Sequence, residues 1–181
     1  MAQLSDDCFA FGGELMRIEE GLALIAKRVS PVEETELVSL TDADNRVLAE
    51  DVTAPLSLPN FDNSAVDGYA VRHADLNPDG ETILPVTTRI AAGDTGPHLL
   101  QPGESARIFT GAAMPNGADT VFMQEDVREE GDKVVLPAGL KAGANRRNAG
   151  EDIATGAAAL AAGLRLQPQH ISLASALGLV E

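Results

Sequence analysis

The sequence has 181 residues, enough for one ordinary domain or two small ones. Hydrophobic residues make up 44%, which excludes a disordered chain, and aromatics only 3%, so the core must be built from Leu, Val, Ile and Ala. The formal net charge of −15 repels phosphate backbones and argues against a nucleic-acid partner; its plainest consequence is solubility.

The lone cysteine, Cys8, has no partner for an internal disulfide or a zinc site, which fits a reducing cytoplasm. No basic segment followed by an apolar stretch marks the N-terminus as a signal peptide. The longest apolar run, Ala157 to Gly163, is far too short to span a membrane. The expectation is a soluble cytoplasmic protein with no membrane partner.

Residues 1–12 show no period and read as a loose lead-in. Leu15, Ile18, Leu22, Ile25 and Val29 then recur at steps of three and four, which predicts a helix over Glu14–Arg28 with one narrow apolar seam. Lys27 and Arg28 suit its C-terminal dipole, and Pro31 stops it. Such a seam packs by default on its own domain; the alternative is a partner chain. Glu36–Leu40 reads as a short strand, Thr41 as the cap of a brief helical turn through Asn45, and Val47–Val52 as extended chain.

From Ala54 the texture changes to short strands between Gly, Pro, Asn and Asp clusters. Strands are expected at Tyr69–Arg72, Thr82–Ile90, Ser105–Phe109, Thr120–Val127 and Lys133–Leu136, with a hairpin connection at Glu129–Asp132. Their number and spacing suggest a small barrel or sandwich. Gln167-Pro168 then opens a second helix carrying Ile171, Leu173, Ala174 and Leu177, with Gly178 at its C-cap. The fold class is α+β. A small α/β domain formed by both chain ends (1–53 and 146–181) holds an inserted β-rich domain (54–145).

Three polar, turn-forming stretches carry groups able to bind ions. The first, Phe61 to Ala70, sets Asp62 and Asp67 around Asn63 and Ser64, suited to a metal or to hydroxyls; an Asx-type turn is the structural alternative. The second, Ile108 to Pro115, ends a strand in Thr110-Gly111, where a hydroxyl would lie beside exposed amides; a simple strand terminus is the alternative. The third, Asn145 to Asp152, places Arg146 and Arg147 together in an acidic chain. Arg pairs with phosphate in bidentate fashion, but a surface ion pair with Glu151 or Asp152 fits equally. His73, His98 and His170 lack metal-ligand spacing, and no P-loop, dinucleotide or hydrolase-elbow pattern is present.

Together these stretches resemble the MoeA and gephyrin E-domain family of molybdopterin molybdenumtransferases. Pro59 to Ala70 is similar to the family's first block. Ile108 to Ala112 with Pro115, Gly117-Ala118-Asp119 and Gln124-Glu125 resembles the second, and Arg147 with Gly150 to Ile153 the third. Arg46 to Val52 and Ala174 to Gly178 match in order and spacing, so the likeness covers 14–181.

The resemblance implies the first two of four domains, with a molybdopterin-binding domain expected to follow Glu181 and absent here. It implies a homodimer whose active site is shared between subunits, and Mg2+-dependent insertion of molybdate into adenylylated molybdopterin with release of AMP. By motif position it assigns Asp67, Thr110 and Asp152 to the chemistry, and Arg147, Ser64 and Gly111 to substrate binding, with no metal ligand assigned. Asn148-Ala149 departs from the more basic residues common among relatives. A gephyrin-like interaction module is the competing class, and a solute-binding β module unrelated to molybdenum is a third.

Overall fold

The computed structural model describes residues 16–181. These fall into two units, one ending at Glu36 and the other running from Leu37 to Glu181.

The first unit carries helix α1 (Ile18–Arg28). Glu20 accepts the Arg17 N–H at 3.2 Å, Glu19 and Glu20 occupy the positive first turn, and Lys27 and Arg28 the negative last turn. The helix starts later than Glu14, and Leu15, Cys8 and the lead-in lie outside the described residues. No residue of α1 is buried: Ile18 is 78% exposed, Leu22 61% and Ile25 59%. Within its own unit the apolar seam is therefore uncovered among the described residues. Between the apolar positions the helix carries mainly charged or small residues, so it offers one narrow stripe and no broad face.

In the second unit the segments flanking the β-rich block share a core. Strand β1 (Val52–Thr53) pairs antiparallel with β10 (Ala158–Leu160), and Val47 bridges to Arg165. Helix α2 (Pro168–Ala176) closes over them, so that Ala43, Leu160, Leu166 and Ala174 form a cluster flanked by Leu40, Val52 and Ile171. Proline suits the first turn of α2, and Gly178, at φ 81°, follows its C-terminus. The Leu40 N–H donates to the Val180 carbonyl at 3.1 Å.

Glu36–Leu40 is not a strand. Leu40–Asp42 is a single 3₁₀ turn capped at Ser39, whose hydroxyl donates to Asp42 at 3.0 Å, and Thr41 lies inside the turn. No strand lies beside Glu36–Leu40 among the described residues, and without main-chain partners the segment stays irregular.

The β-rich block holds one six-stranded sheet in the order β6-β3-β5-β4-β8-β7, curled into a half-barrel. Its strands are β3 (Gly68–Val71), β4 (Thr82–Ile90), β5 (Ser105–Ile108), β6 (Thr120–Met123), β7 (Arg128–Glu130) and β8 (Lys133–Leu136). All neighbours are antiparallel except β4 and β5. Two clusters fill it. Ala70, Ile90, Ala106, Ile108 and Val121 form one, and Tyr69, Val71, Leu84, Phe122, Val134 and Leu136 the other. Inner strand β3, flanked by β6 and β5, buries all four of its residues. Each fully buried Ile or Val contributes on the order of 1.5–3 kcal/mol relative to exposure, which anchors the strand ends that carry the site.

Strand β6 stops at Met123, short of the expected Val127, because Gln124–Asp126 turn into a 3₁₀ helix. That early stop matters for the site.

Candidate functional site

Two short elements bring the three polar stretches together. Strand β2 (Asn63–Ser64) pairs with β9 (Arg146–Arg147), placing Asn63 opposite Arg147 and Ser64 opposite Arg146. The second stretch joins through the backbone: Ser64 N–H donates to Ala112 O at 3.0 Å, Gly111 N–H to Ser64 O at 2.8 Å, and Met114 N–H to Asp62 O at 2.9 Å. Asn145 sits at φ 57°, a left-handed conformation Asn tolerates, and its amide donates to Val121 O at 2.9 Å.

Asp67 and Thr110, 43 residues apart, meet at one corner. The Thr110 N–H donates to Asp67 Oδ1 at 2.8 Å and the Thr110 hydroxyl to the same oxygen at 2.7 Å. The backbone amide, then the hydroxyl, hold this carboxyl below the usual Asp range, so it is ionised at neutral pH. Its other oxygen makes no hydrogen bond among the described residues. Gly111 follows at φ 80°, a left-handed position that lets the chain turn back beneath Thr110.

The backbone under Asp67 is equally fixed. Gln124 N–H donates to Asp67 O at 3.0 Å, which is where the 3₁₀ turn after β6 directs it. Gly68 permits a very close strand approach, since an added Cβ would lie 1.7 Å from Phe122 O.

Asp62 has a different setting. Its Oδ1 accepts the Ala149 N–H at 2.8 Å, and its Oδ2 lies 3.8 Å from the Arg146 guanidinium. It ties the first stretch to the third. The two carboxylates of the first stretch therefore do not converge on one point.

Arg147 and Asp152 pair with each other. Arg147 Nη2 donates to Asp152 Oδ1 at 2.5 Å, and Arg147 Nε reaches Glu151 at 3.4 Å. The Asp152 bond leads in pushing the arginine pKa further up. Of the two readings open in the sequence, the ion pair is the one present here. No hydrogen bond or ion pair joins Arg147 or Asp152 to Asp67 among the described residues. Arg146 is the less engaged of the two, with its Nε buried and without an acceptor among those residues. Ser64 is 1% exposed and its hydroxyl donates to Val66 O at 2.6 Å, so it braces the turn leading to Asp67.

Sequence reasoning did not single out Arg107. It stands on β5 between buried Ala106 and Ile108, with its guanidinium 5.2 Å from the centre of the Tyr69 ring and 4.6 Å from that of Phe109. Arg107 is half-buried between buried neighbours on β5, and a charge so placed requires specific partners; a charged residue next to apolar ones on a short strand was the available signal.

Among the described residues no group of three or more His, Cys, Asp or Glu side chains could hold a metal ion. Mg2+ is commonly held by only one or two carboxylates, together with substrate phosphates and water. Asp67, ionised and with one oxygen uncommitted, fits a single ligand of that kind. No helix among the described residues is long and apolar enough to cross a membrane.

Comparison with known proteins agrees on one family. The profile described as MoeA N-terminal region (domain I and II) matches residues 16–178. A molybdopterin molybdenumtransferase of Synechococcus elongatus is 40% identical over 150 residues, covering 81% of this chain and 37% of its own length. Molybdopterin molybdenumtransferase 2 of Mycobacterium tuberculosis is 44% identical over 147 residues, covering 80% of this chain and 36% of its own. The crystal structure of the molybdopterin biosynthesis moeA protein from Pyrococcus horikoshii OT3 superposes with a TM-score of 0.84 at 35% identity, over 92% of this chain and 45% of that one. The chain thus spans little more than a third of the length of these curated relatives. It belongs to the MoeA family, matching that family's N-terminal region of domains I and II.

Proposed function

We propose that this chain supplies the Asp67–Thr110 wall of the active site of a molybdopterin molybdenumtransferase. The substrates are adenylylated molybdopterin and molybdate, and the products are AMP and the molybdenum-loaded pterin. The observation that carries the reading is a carboxylate fixed by main-chain and hydroxyl donors yet open on its second oxygen, at the meeting point of three strand ends. Such a group keeps its charge and its place through turnover, which is what electrostatic and positional catalysis require.

In this reading Asp67 faces the reacting centre, orienting water or the pterin, and is the residue fit to hold Mg2+. Bound there, Mg2+ would neutralise phosphate charge. Thr110 fixes the Asp67 rotamer, and the turn at Gly111 leaves the Thr110 side open to ligand. Asp152 holds Arg147 in place, and Arg147 meets an anion by exchanging its contact with Glu151. Ser64 acts from beneath, through the turn. We assign 1–53 with 146–181 and 54–145 to the family's two domains.

We further propose a homodimer in the cytoplasm. The exposed stripe of Ile18, Leu22, Ile25 and Val29 supports a second copy as its cover, since an apolar seam of this kind gains little from water. The single cysteine suits a reducing compartment.

The test is a molybdate insertion assay with adenylylated molybdopterin. Residues 1–181 alone are expected to show no turnover, and the same chain joined to a molybdopterin-binding domain is expected to turn over with release of AMP. Turnover by the 181 residues alone would place the whole pocket within this chain and overturn the shared-wall reading.

A further inference from the structure

Asp67 is held on three sides, and Arg107 is linked to two of them. Its Nη1 donates at 2.9 Å to the carbonyl of Gly68, the residue that follows Asp67. Its Nη2 donates to the side chain of Gln124, the residue whose N–H donates to Asp67 O. Its guanidinium also stacks on Phe109, the residue preceding Thr110. One planar fork therefore reaches the backbone beneath Asp67 and the segment that grips its carboxylate. Arg89 makes the same kind of contact with Phe109, its guanidinium 4.5 Å from the ring centre, yet it has no hydrogen bond to the Asp67 segment among the described residues.

We propose that Arg107 is a positioning residue that presets the Asp67 carboxylate through its fork to Gly68 O and Gln124. The proposal rests on the reading of Asp67 as the carboxylate facing the chemistry. A Lys at this position would keep the charge but not the two-pronged donor geometry, because its ammonium is a point charge on a flexible stem. The charge alone would already serve a role confined to stabilising the sheet.

The experiment reads the two amides that hold Asp67, those of Thr110 and Gln124, by hydrogen exchange on the 181-residue chain. With Arg107→Lys both are expected to exchange about ten-fold faster, while the amides of Val134 and Leu136 keep their wild-type rates, as local opening without global loss requires. Arg89→Gln removes the other guanidinium from Phe109 and is expected to leave both reporter amides unchanged. Gln124→Met, on an exposed turn, removes the acceptor at the far end of the fork and should reproduce the acceleration even if Arg107→Lys does not fold. In the protein that joins this chain to a molybdopterin-binding domain, Arg107→Lys is expected to lower kcat about ten-fold with little change in KM.

Wild-type exchange at Thr110 and Gln124 in Arg107→Lys, or acceleration spread evenly over the sheet, would overturn the proposal. Selective acceleration with unaltered turnover would leave Arg107's hold on Asp67 standing and remove Asp67 from the chemistry.

Discussion

The Asp67 corner and the Arg147 corner contain similar residues and solve opposite problems. At the first, a carboxylate takes its hydrogen bonds from a main-chain amide and a neutral hydroxyl, so its negative charge is stabilised without being cancelled. At the second, a guanidinium lies against two carboxylates on an exposed loop, and its charge is neutralised by its own neighbours. The first is fixed to a fully buried inner strand of the sheet, the second to a two-residue strand. Preorganisation is therefore concentrated around Asp67, whereas the Arg147 guanidinium is spent on pairing with its neighbours.

Substitutions can break this comparison at graded strength. The largest effect is expected from Gly68→Ala. The new Cβ would lie 1.7 Å from the Phe122 carbonyl oxygen and 2.8 Å from its carbon, main-chain atoms of the paired strand that cannot swing aside as a side chain would. A loss upwards of about 3 kcal/mol is expected, seen as a collapsed urea midpoint or failure to unfold cooperatively. A wild-type midpoint would mean the two strands can separate at that corner, and with it the fixed backbone under Asp67.

A pH titration sharpens the same side. Tyr69, 3% exposed, is the only tyrosine of a chain without tryptophan, so tyrosinate absorbance reports this residue alone. Burial, then its hydrogen bond to Glu129, pushes its pKa up to about 12. Because the folded value lies above the unfolded one, the stability contributed by the neutral phenol is complete below pH 10 and lost as pH rises through 12. The titration should therefore show a midpoint near 12, dropping towards 10 once urea unfolds the chain. A midpoint near 10 in the folded protein would show that the ring and its Glu129 contact are open to solvent.

The smallest effect is expected at the other corner. Arg147→Gln removes a surface ion pair and should move Tm by less than about 2 °C. A larger drop would mean that the third stretch is as firmly built as the first, and the contrast between the corners would fail.

The legibility of the molecule follows the same divide. Thr82–Ile90 and Lys133–Leu136 stand where composition placed them, because β-branched apolar residues and flanking turn chemistry are local signals. Glu36–Leu40 misled because a strand needs a partner, and the sequence does not say whether one is there. Val127 fell outside β6 because Gln124–Asp126 turn into a 3₁₀ helix, which the apolar and polar residues of that stretch do not signal. Within the site, Asp67 and Thr110 each stood out as polar residues at turns, but their shared hydrogen bonds depend on how β3 and β5 pair. Arg107 escaped notice because its hydrogen bonds, to Gly68 and Gln124, are made across the sheet and not within its own segment. The α1 seam was legible as a helix face, and its exposure was not, because periodicity tells which side is apolar but not what covers it.

The central claim is that the charge of Asp67, and not its place in a turn, is what the protein uses. The direct measurement is the molybdate insertion rate of Asp67→Asn beside Asp62→Asn, each with its melting temperature, in a protein that joins this chain to a molybdopterin-binding domain. Asn matches Asp in size and serves turns nearly as well, but it carries no charge. The account predicts a loss of roughly 100-fold or more for Asp67→Asn with Tm nearly unchanged, and a rate within about three-fold of wild type for Asp62→Asn. Normal turnover by Asp67→Asn, or a loss that merely follows unfolding, would contradict it.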